Sequence, residues 1–232
     1  VHIDIPKCVS YQDYNPSLNV NNYKKNVKPI KDYKNNIQQV AAVINRSKKP
    51  IIIVGKGCSN ATNYLTEFVN KSNIPVTSTI HGCGIYDENK ELSLRWCGMH
   101  GSAAANYAIQ DADLIIALGS RFDDRTTGKI SEYAPEAFKA SKEGRGGIIH
   151  VNIEESELDF VVNSDYNFDM DCELFLKQII PHISYTKKNE WINNINNLKQ
   201  TYPFVIKTDD KKLHMEDVIN EFNTATKNKK VT

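Results

Sequence analysis

The sequence has no long hydrophobic segment, and none of its apolar runs approaches the length of about 20 residues that a membrane-spanning helix needs. It also has no excess charge of either sign, because 29 Lys and Arg residues stand against 28 Asp and Glu residues in a chain of 232. A balanced chain lacks the basic surface with which many proteins bind nucleic acid or anionic lipid. We therefore expect neither nucleic acid nor membrane among its partners.

Cysteine is scarce and scattered. The five residues are odd in number and have no zinc-site spacing with one another or with His; they are Cys8, Cys58, Cys83, Cys97 and Cys172. We interpret them as buried, reduced thiols, with a disulfide or metal role as the alternative. A Ser/His/Asp arrangement, paired catalytic carboxylates and a GxxxxGK[ST] phosphate loop are also absent. We expect no catalytic and no metal-binding residue in this chain.

Both ends of the chain resemble interrupted structure. The opening VHIDIPKCVS has no initiator Met, basic leader or signal-peptide core, and is typical of a strand already under way. Residues 10–33 are polar and contain Pro16 and Pro29, which predicts a linker. The final Val231 and Thr232 look like the start of another strand. These features predict a piece of a longer protein.

Short apolar runs alternate with helical patterns between residues 34 and 185. The patterns predict strands within 51–57, 74–79, 113–121 and 146–153, and helices around 37–44, 64–69, 102–112 and 171–183. Two further helices are predicted around 191–198 and 215–222. This alternation indicates βαβ units, and the right-handed crossover rule then gives an α/β fold with a doubly wound parallel sheet, Rossmann-like in its layers.

Glycine or small polar residues follow several predicted strands, where a parallel sheet binds its ligands. Gly55 and Gly57 follow the first strand, Ser78 and Thr79 the second, and the third ends in Gly119, Ser120 and Arg121. Glycine lets backbone N–H groups approach a phosphate, although GKG is only part of a GxGxxG fingerprint and also suits an ordinary tight turn. Arg121, with Asp123 and Arg125, fits either a phosphate clamp or a structural Arg–Asp network.

A GMHG sequence at 98–101 places a thioether and an imidazole between two glycines, immediately before a predicted helix. A polarizable Met can pack on a planar ring. A lone His is more often a structural hydrogen-bonding residue, and His81, His150 and His182 have no catalytic partner in the sequence. The residues alone therefore indicate a nucleotide-binding α/β domain without catalytic machinery.

Three segments resemble one known family: IPVTSTIHGCG (74–84), LRWCGMHGSAAANYAIQDADLIIALGSRFDDRTTGK (94–129) and EGRGGIIHVNI (143–153). They are similar to the central domain of the catalytic subunit of acetohydroxyacid synthase (acetolactate synthase), and EGRGGIIH is most like fungal forms. The resemblance implies that residues 1–33 end the N-terminal thiamine-pyrimidine-binding domain and form a linker. Residues 34–185 would form the central FAD-binding domain, and 186–232 a linker and the start of the C-terminal thiamine-diphosphate-binding domain. The family's activating glutamate and its GDG…N motif for diphosphate and Mg²⁺ do not occur in this sequence, so the resemblance implies that they would lie outside it.

The resemblance also implies which residues meet FAD. Gly55 and Gly57, then Thr79 and Ile80, would border the cofactor, and Gly98, Met99, His100 and Gly101 would lie beneath the flavin and its ribityl chain. The phosphates and ribityl oxygens would meet Gly119, Ser120 and Arg121, supported by Asp123 and Arg125. The adenosine would lie against Asn152, Ile153 and Asp171. Two positions depart from the family pattern, which usually has Asp or Glu at 152 and Gly at 170, where this chain has Asn152 and Met170.

By the same resemblance, the whole enzyme would condense two pyruvates to 2-acetolactate with release of CO₂, or pyruvate with 2-ketobutyrate, in branched-chain amino-acid biosynthesis. It would use thiamine diphosphate and Mg²⁺ and work as a homodimer or larger assembly. A regulatory subunit and a mitochondrial location are further implied features. The fragment alone is expected to be inactive. The alternatives are a related thiamine-diphosphate enzyme of the pyruvate oxidase or glyoxylate carboligase type, and a non-catalytic flavin- or nucleotide-binding paralogue.

Overall fold

The structure is a computed structural model that describes Asp13 and residues 33–185, 187–204 and 212–227. The chain forms two compact units, residues 1–32 and 33–232, and all described residues except Asp13 belong to the second. The predicted domain end and linker at 1–33 therefore lie outside the described residues, apart from Asp13 and Tyr33. The strand expected at Val231 and Thr232 lies outside them as well.

A six-stranded sheet, parallel throughout, forms the centre of the second unit. Its strands are β1 (Pro50–Val54), β2 (Val76–Ser78), β3 (Ser93–Trp96), β4 (Leu114–Leu118), β5 (Gly147–Asn152) and β6 (Tyr166–Asp169). They are arranged in the order β3-β2-β1-β4-β5-β6, with every neighbouring pair parallel. This order is that of a doubly wound dinucleotide-binding fold. The fold class predicted from the sequence is confirmed.

Helices cover both faces of the sheet. They are α1 (Lys34–Arg46), α2 (Thr62–Ser72), α3 (Ala103–Asp111), α4 (Asp124–Thr127), α5 (Pro135–Lys142), α6 (Cys172–Ile179), α7 (Asn189–Thr201) and α8 (Met215–Ala225). One hydrophobic core contains residues of α1, α2 and α6, and the other contains residues of α3, α5 and α7. Successive residues of β1 alternate between these cores, Ile52 in the first and Ile53 in the second. None of the described helices has the length and apolar character needed to cross a bilayer.

Helix α7 belongs to this domain, although the sequence interpretation placed it in the linker after residue 185. Trp191 and Ile195, one helical turn apart, are buried in the core that also contains α3 and α5. The indole Nε1 of Trp191 donates to the carbonyl oxygen of Pro50 at 2.8 Å. Beyond the helix, the ring of Phe204 packs against Trp96 with centroids 4.8 Å apart. The amphipathic face of α7 therefore packs into the second core of the described unit.

Two strands, β3 and β6, and two helices, the four-residue α4 and the eight-residue α5, have no counterpart in the sequence interpretation. Strands β3 and β6 are the edges of the sheet, and each includes partly exposed or polar residues, so neither forms a continuous apolar run. Helix α5 has only eight residues, of which Ala137 and Ala140 are fully buried. Alanine contributes little to a hydrophobic pattern, which explains why the periodicity of this helix is weak.

Candidate functional site

The candidate site is a cleft at the carboxyl ends of β1 and β4, where the order of the sheet reverses. In doubly wound sheets this reversal opens a crevice that binds ligands. The cleft has a volume of about 450 Å³ and is lined by Lys56, Gly57, Thr79, His81, Gly119, Ser120, Arg121, Asp123 and Asn152. Seven of these nine residues were predicted from the family resemblance, whereas Lys56 and His81 were missed.

Backbone contact between two glycine turns forms the floor of this region. The Gly55 N–H donates to Leu118 O at 2.8 Å, and the Gly57 N–H donates to Gly119 O at 3.1 Å. A Cβ on Gly57 would lie 2.8 Å from Gly119 Cα, and a Cβ on Gly55 would lie 2.2 Å from Gly119 O. Gly119 itself has φ +62°, a conformation that L side chains rarely adopt. Glycine is therefore required here to bring the loops of β1 and β4 together.

Two side chains from β5 fix the next residue, Ser120. Its carbonyl oxygen lies 2.7 Å from His150 Nε2 and accepts the Asn152 Nδ2 hydrogen at 3.2 Å. Because the partner is a carbonyl, Nε2 of His150 must carry a proton and donate it. Burial lowers the pKa of His150 from its ordinary value, while the hydrogen bond to Ser120 and the carboxylates of Asp159 and Glu157 oppose this shift. His150 is thus a structural residue, as the sequence interpretation favoured.

Arg121 extends from this fixed loop at the rim of the cleft. Its side chain is exposed, and its guanidinium has no ion pair or hydrogen bond with any described residue. The N–H of Ser120, in a residue only 2% exposed, likewise has no acceptor within the described part of the chain. Because Ser120 also lines the cleft, an anionic ligand bound there would lie close to this donor. Of the two interpretations left open by the sequence, this geometry favours the clamp over the Arg–Asp network.

The acidic residues near Arg121 have structural roles. Asp123 is the N-cap of α4, and its Oδ1 accepts from Thr126 N at 3.0 Å and from Thr126 Oγ1 at 3.1 Å. Arg125 lies 3.9 Å from Asp124 in an exposed pair. The carboxylate of Asp123 borders the cleft and uses Oδ1 to cap α4, and it forms no ion pair with Arg121 among the described residues.

The GMHG turn stands beside the main cleft and is tied down at several points. The side-chain amide of Asn106 forms two hydrogen bonds with the backbone of Gly98. Its Oδ1 accepts from Gly98 N at 2.8 Å, and its Nδ2 donates to Gly98 O at 2.9 Å. Met99 N donates to Arg125 O at 2.8 Å, and Trp96 Nε1 donates to His100 O at 3.1 Å. A Cβ on Gly101 would lie 2.5 Å from backbone atoms of Trp96 and Cys97. The turn is therefore rigidly held, with the Met99 side chain outward and 64% exposed.

Two smaller hollows flank this turn. One, of about 220 Å³, is lined by Ile80, Trp96, Cys97, Met99, His100, Arg125 and Thr126. The other, of about 280 Å³, includes Gly98, Met99, Asn106 and Thr126 among its lining residues. Ile80 and Ile153 are 58% and 70% exposed, which is unusual for isoleucine. This edge of the sheet therefore offers apolar contacts next to the cationic cleft, a combination that suits a ligand with a planar ring and phosphates.

The remaining predicted residues differ in their placement. Asp171 caps α6 by accepting from Glu173 N at 2.8 Å, which already occupies one carboxylate oxygen. Asn152 is held at both ends of its amide, since Oδ1 accepts from Glu154 N at 3.0 Å. Met170 is 7% exposed within the first core, so its side chain does not enter the cleft. The two departures from the family pattern therefore fit the fold without filling the site.

The thiols require one correction. Cys58, Cys97 and Cys172 are free and buried, as expected, but Cys83 is exposed, because it follows a short 3₁₀ turn outside the sheet. Burial raises the pKa of Cys97 to about 12, which makes this thiol a poor nucleophile. Among the described residues, no group of His, Cys, Asp and Glu side chains is arranged to hold a metal ion. Cys8 lies outside the described residues.

Comparison with known protein families agrees with this architecture. A family model described as "Thiamine pyrophosphate enzyme, central domain" matches residues 37–179, which is more than half of the chain. The chain belongs to this family. The matched range ends at the last residue of α6 and so covers the sheet and all the predicted contact residues.

Individual relatives are acetolactate synthases. The chain is 40% identical over 193 residues to the mitochondrial acetolactate synthase catalytic subunit of Saccharomyces cerevisiae, covering 81% of this chain and 28% of the yeast protein. It is 40% identical over 174 residues to the mitochondrial acetolactate synthase of Schizosaccharomyces pombe, covering 72% of this chain and 26% of the fission-yeast protein. It is 33% identical over 219 residues to the chloroplastic acetolactate synthase of Arabidopsis thaliana, covering 90% of this chain and 31% of the plant protein. The predicted similarity to fungal forms is confirmed, and the chain spans only a quarter to a third of these relatives' length.

Proposed function

We propose that this domain binds FAD along the carboxyl edge of its sheet, as the central part of a thiamine-diphosphate-dependent acetolactate synthase. The observation that carries the proposal is the switch-point cleft, where Arg121 and the Ser120 N–H, neither of which has a partner among the described residues, lie beside a floor of glycine backbone. An anion would gain hydrogen bonds from both donors. Apolar residues at the adjacent hollows, Ile80 and Met99, would cover a planar ring.

Each part of the site has a separate task in binding. Arg121 and the Ser120 N–H would hold the diphosphate, while His150 and Asn152 keep the Ser120 carbonyl turned away to β5. Gly98 and Met99 would support the flavin, on a turn fixed by Asn106. Bound FAD would supply a rigid planar surface between protein segments, because the net carboligation requires no oxidation or reduction. This domain would therefore act by orienting segments and excluding water.

For the whole protein, we propose the condensation of two pyruvates to 2-acetolactate with loss of CO₂, or of pyruvate with 2-ketobutyrate. Thiamine diphosphate and Mg²⁺ would be held by segments outside this sequence, in a homodimer or larger assembly located in an organelle. The relatives' names and the family match support this proposal. Incubation of the full-length protein with pyruvate, thiamine diphosphate and Mg²⁺ should yield 2-acetolactate. Absence of the product in a folded, cofactor-saturated protein would refute the proposed reaction.

The flavin proposal is tested separately by titrating FAD and following the quenching of its fluorescence. The wild-type protein should bind saturably, and Arg121→Ala should bind at least about tenfold more weakly, since a charge-assisted contact is lost. Arg121→Lys should lie between the two, because it keeps the charge and loses the bidentate fork. Equal affinity of wild-type protein and Arg121→Ala would remove Arg121 from the site. Failure of the wild-type protein to bind FAD would overturn the flavin proposal.

A further inference from the structure

Lys56 occupies an unusual place in the candidate site, between the two glycines of the β1 loop. The backbone on either side of it is locked, because Gly55 and Gly57 both lie against the Gly119 turn. Lys56 itself is exposed and lines the same cleft as Arg121. Its Cα is thus held firmly by the sheet, while its side chain is free to reach into the cleft.

The lining of the cleft carries a net positive charge, because Lys56 and Arg121 stand against the single carboxylate of Asp123. Neither Lys56 nor Arg121 forms an ion pair with a described residue. The acidic group there is Asp123, which uses one carboxylate oxygen to cap α4, so its single negative charge faces the two cations of the lining. Two cations on adjoining loops repel one another, and this cost is recovered when an anion lies between them. A diphosphate, with one charge on each phosphate, matches that arrangement.

We propose that Lys56 is a second diphosphate-binding cation, which with Arg121 grips the diphosphate of a dinucleotide from two different loops. The inference rests on the proposed FAD site and specifies how that site selects its ligand. Arg121 binds phosphate oxygens through a planar fork, whereas Lys56 acts as a compact charge on a flexible stem. With both in place, the cleft favours a flavin dinucleotide over the same ring without phosphate.

The experiment compares FAD with riboflavin, which has the same ring and no phosphate, as titrants of the purified protein. Lys56→Gln removes the charge and keeps most of the side-chain length, Lys56→Arg restores the charge, and Lys142→Gln is the matched control. Lys142 is exposed at the end of α5, shortly before the start of β5. It therefore lies near the amino ends of the strands, away from the cleft at their carboxyl ends. Lys56→Gln should weaken FAD binding about tenfold and leave riboflavin binding unchanged. Lys56→Arg should recover most of the affinity, and Lys142→Gln should match the wild-type protein.

The outcomes separate this inference from the proposal beneath it. If the wild-type protein binds FAD no better than riboflavin, the cleft is not a diphosphate site, and the roles of both Lys56 and Arg121 are overturned; if it binds neither flavin, the flavin proposal itself fails. If the wild-type protein prefers FAD and Lys56→Gln has the same preference, only the role of Lys56 is overturned. Equal weakening of FAD and riboflavin by Lys56→Gln would also overturn it, because the effect would then not involve the phosphates. Thermal unfolding of each variant confirms that the fold is retained.

Discussion

The imidazole Nε2 of His150 lies 2.7 Å from the carbonyl oxygen of Ser120, inside the domain and directly behind the candidate site. His150 is fully buried, and among the described residues its Nδ1 has no hydrogen-bond partner. Its ring packs edge-on against Phe122, with centroids 4.9 Å apart. The loop that carries Arg121 is therefore held by a neutral histidine that packs against an aromatic ring. The stability of this arrangement should depend on pH.

We expect the stability of the domain to fall below about pH 6.5, the ordinary pKa of histidine. Burial lowers the pKa of His150 in the folded state, so between that lowered value and 6.5 the unfolded chain binds more protons. Acidification through this window therefore favours unfolding, by at most about 1.4 kcal/mol per pH unit. Urea unfolding of wild-type protein and His150→Gln at a series of pH values measures the effect. The stability difference between them should shrink as the pH falls, and a constant difference would contradict the assignment.

Gly119→Ala should be strongly destabilising. The residue has φ +62°, and a Cβ would lie 2.5 Å from Gly57 Cα. Gly144→Ala is the matched control, because Gly144 has φ +66° and no atom within 4 Å of the added Cβ. The control should lose about 1–2 kcal/mol from the left-handed conformation alone. Gly119→Ala should lose about 1–3 kcal/mol more through overpacking, measured as the free energy of unfolding. Equal losses would mean that the two loops separate without cost.

Asp113→Asn should destabilise the turn at the amino end of β4, on the side of the sheet opposite to the candidate site. Asp113 is 4% exposed, and its two carboxylate oxygens accept from Lys48 N and Lys49 N at 2.9 Å each. An amide keeps one acceptor and turns an NH₂ group toward the other N–H, so a loss of about 1–3 kcal/mol is expected. Asp111→Asn is the control, since Asp111 is exposed at the end of α3. Chemical denaturation of both variants checks the difference, and a neutral Asp113→Asn would show that the turn relaxes.

Asn152→Asp should have opposite effects on the free protein and on its affinity for FAD. A carboxylate cannot donate to Ser120 O, so the free domain should lose about 1 kcal/mol of stability. An acid at this position would accept more strongly from ribose hydroxyl groups, so FAD should bind more tightly. The thermal midpoint and the dissociation constant, measured on one preparation, give both values. A more stable free variant would contradict the donor role of Asn152.

The central part of the fold could be predicted because its strands are buried on both sides. Strands β1 and β4 are fully buried and apolar throughout, whereas the edge strands β3 and β6 are partly exposed and have no such pattern. Helix α7 was predicted as a helix, but single-sequence periodicity does not tell which core a helix joins. Only the folded structure shows Trp191 reaching Pro50.

For the site, the sequence indicated the glycine-ended strands, and the family resemblance indicated Gly57, Gly119, Ser120 and Arg121, all of which line one cleft. Lys56 and His81 were missed because a resemblance transfers only positions that match the motif. The role of Asp123 as an N-cap was also not foreseen, although an Asp preceding a short helix is a common capping signal. Phe122, which has φ +54° within the same loop, gave no sequence signal at all.

Because the glycine turns after β1 and β4 are in contact, the residues of these turns differ in how freely they can change during evolution. Substitution of Gly55, Gly57 or Gly119 brings a Cβ into contact with backbone atoms. A substitution at these positions destabilises the fold and is therefore selected against. Position 56 has no such constraint, since its side chain is exposed on a backbone that its neighbours already hold. A single codon change there can remove or reverse the charge of Lys56 at the mouth of the crevice without disturbing the sheet. Evolution can therefore adjust how tightly the domain retains an anionic ligand at one residue, independently of the architecture that creates the site.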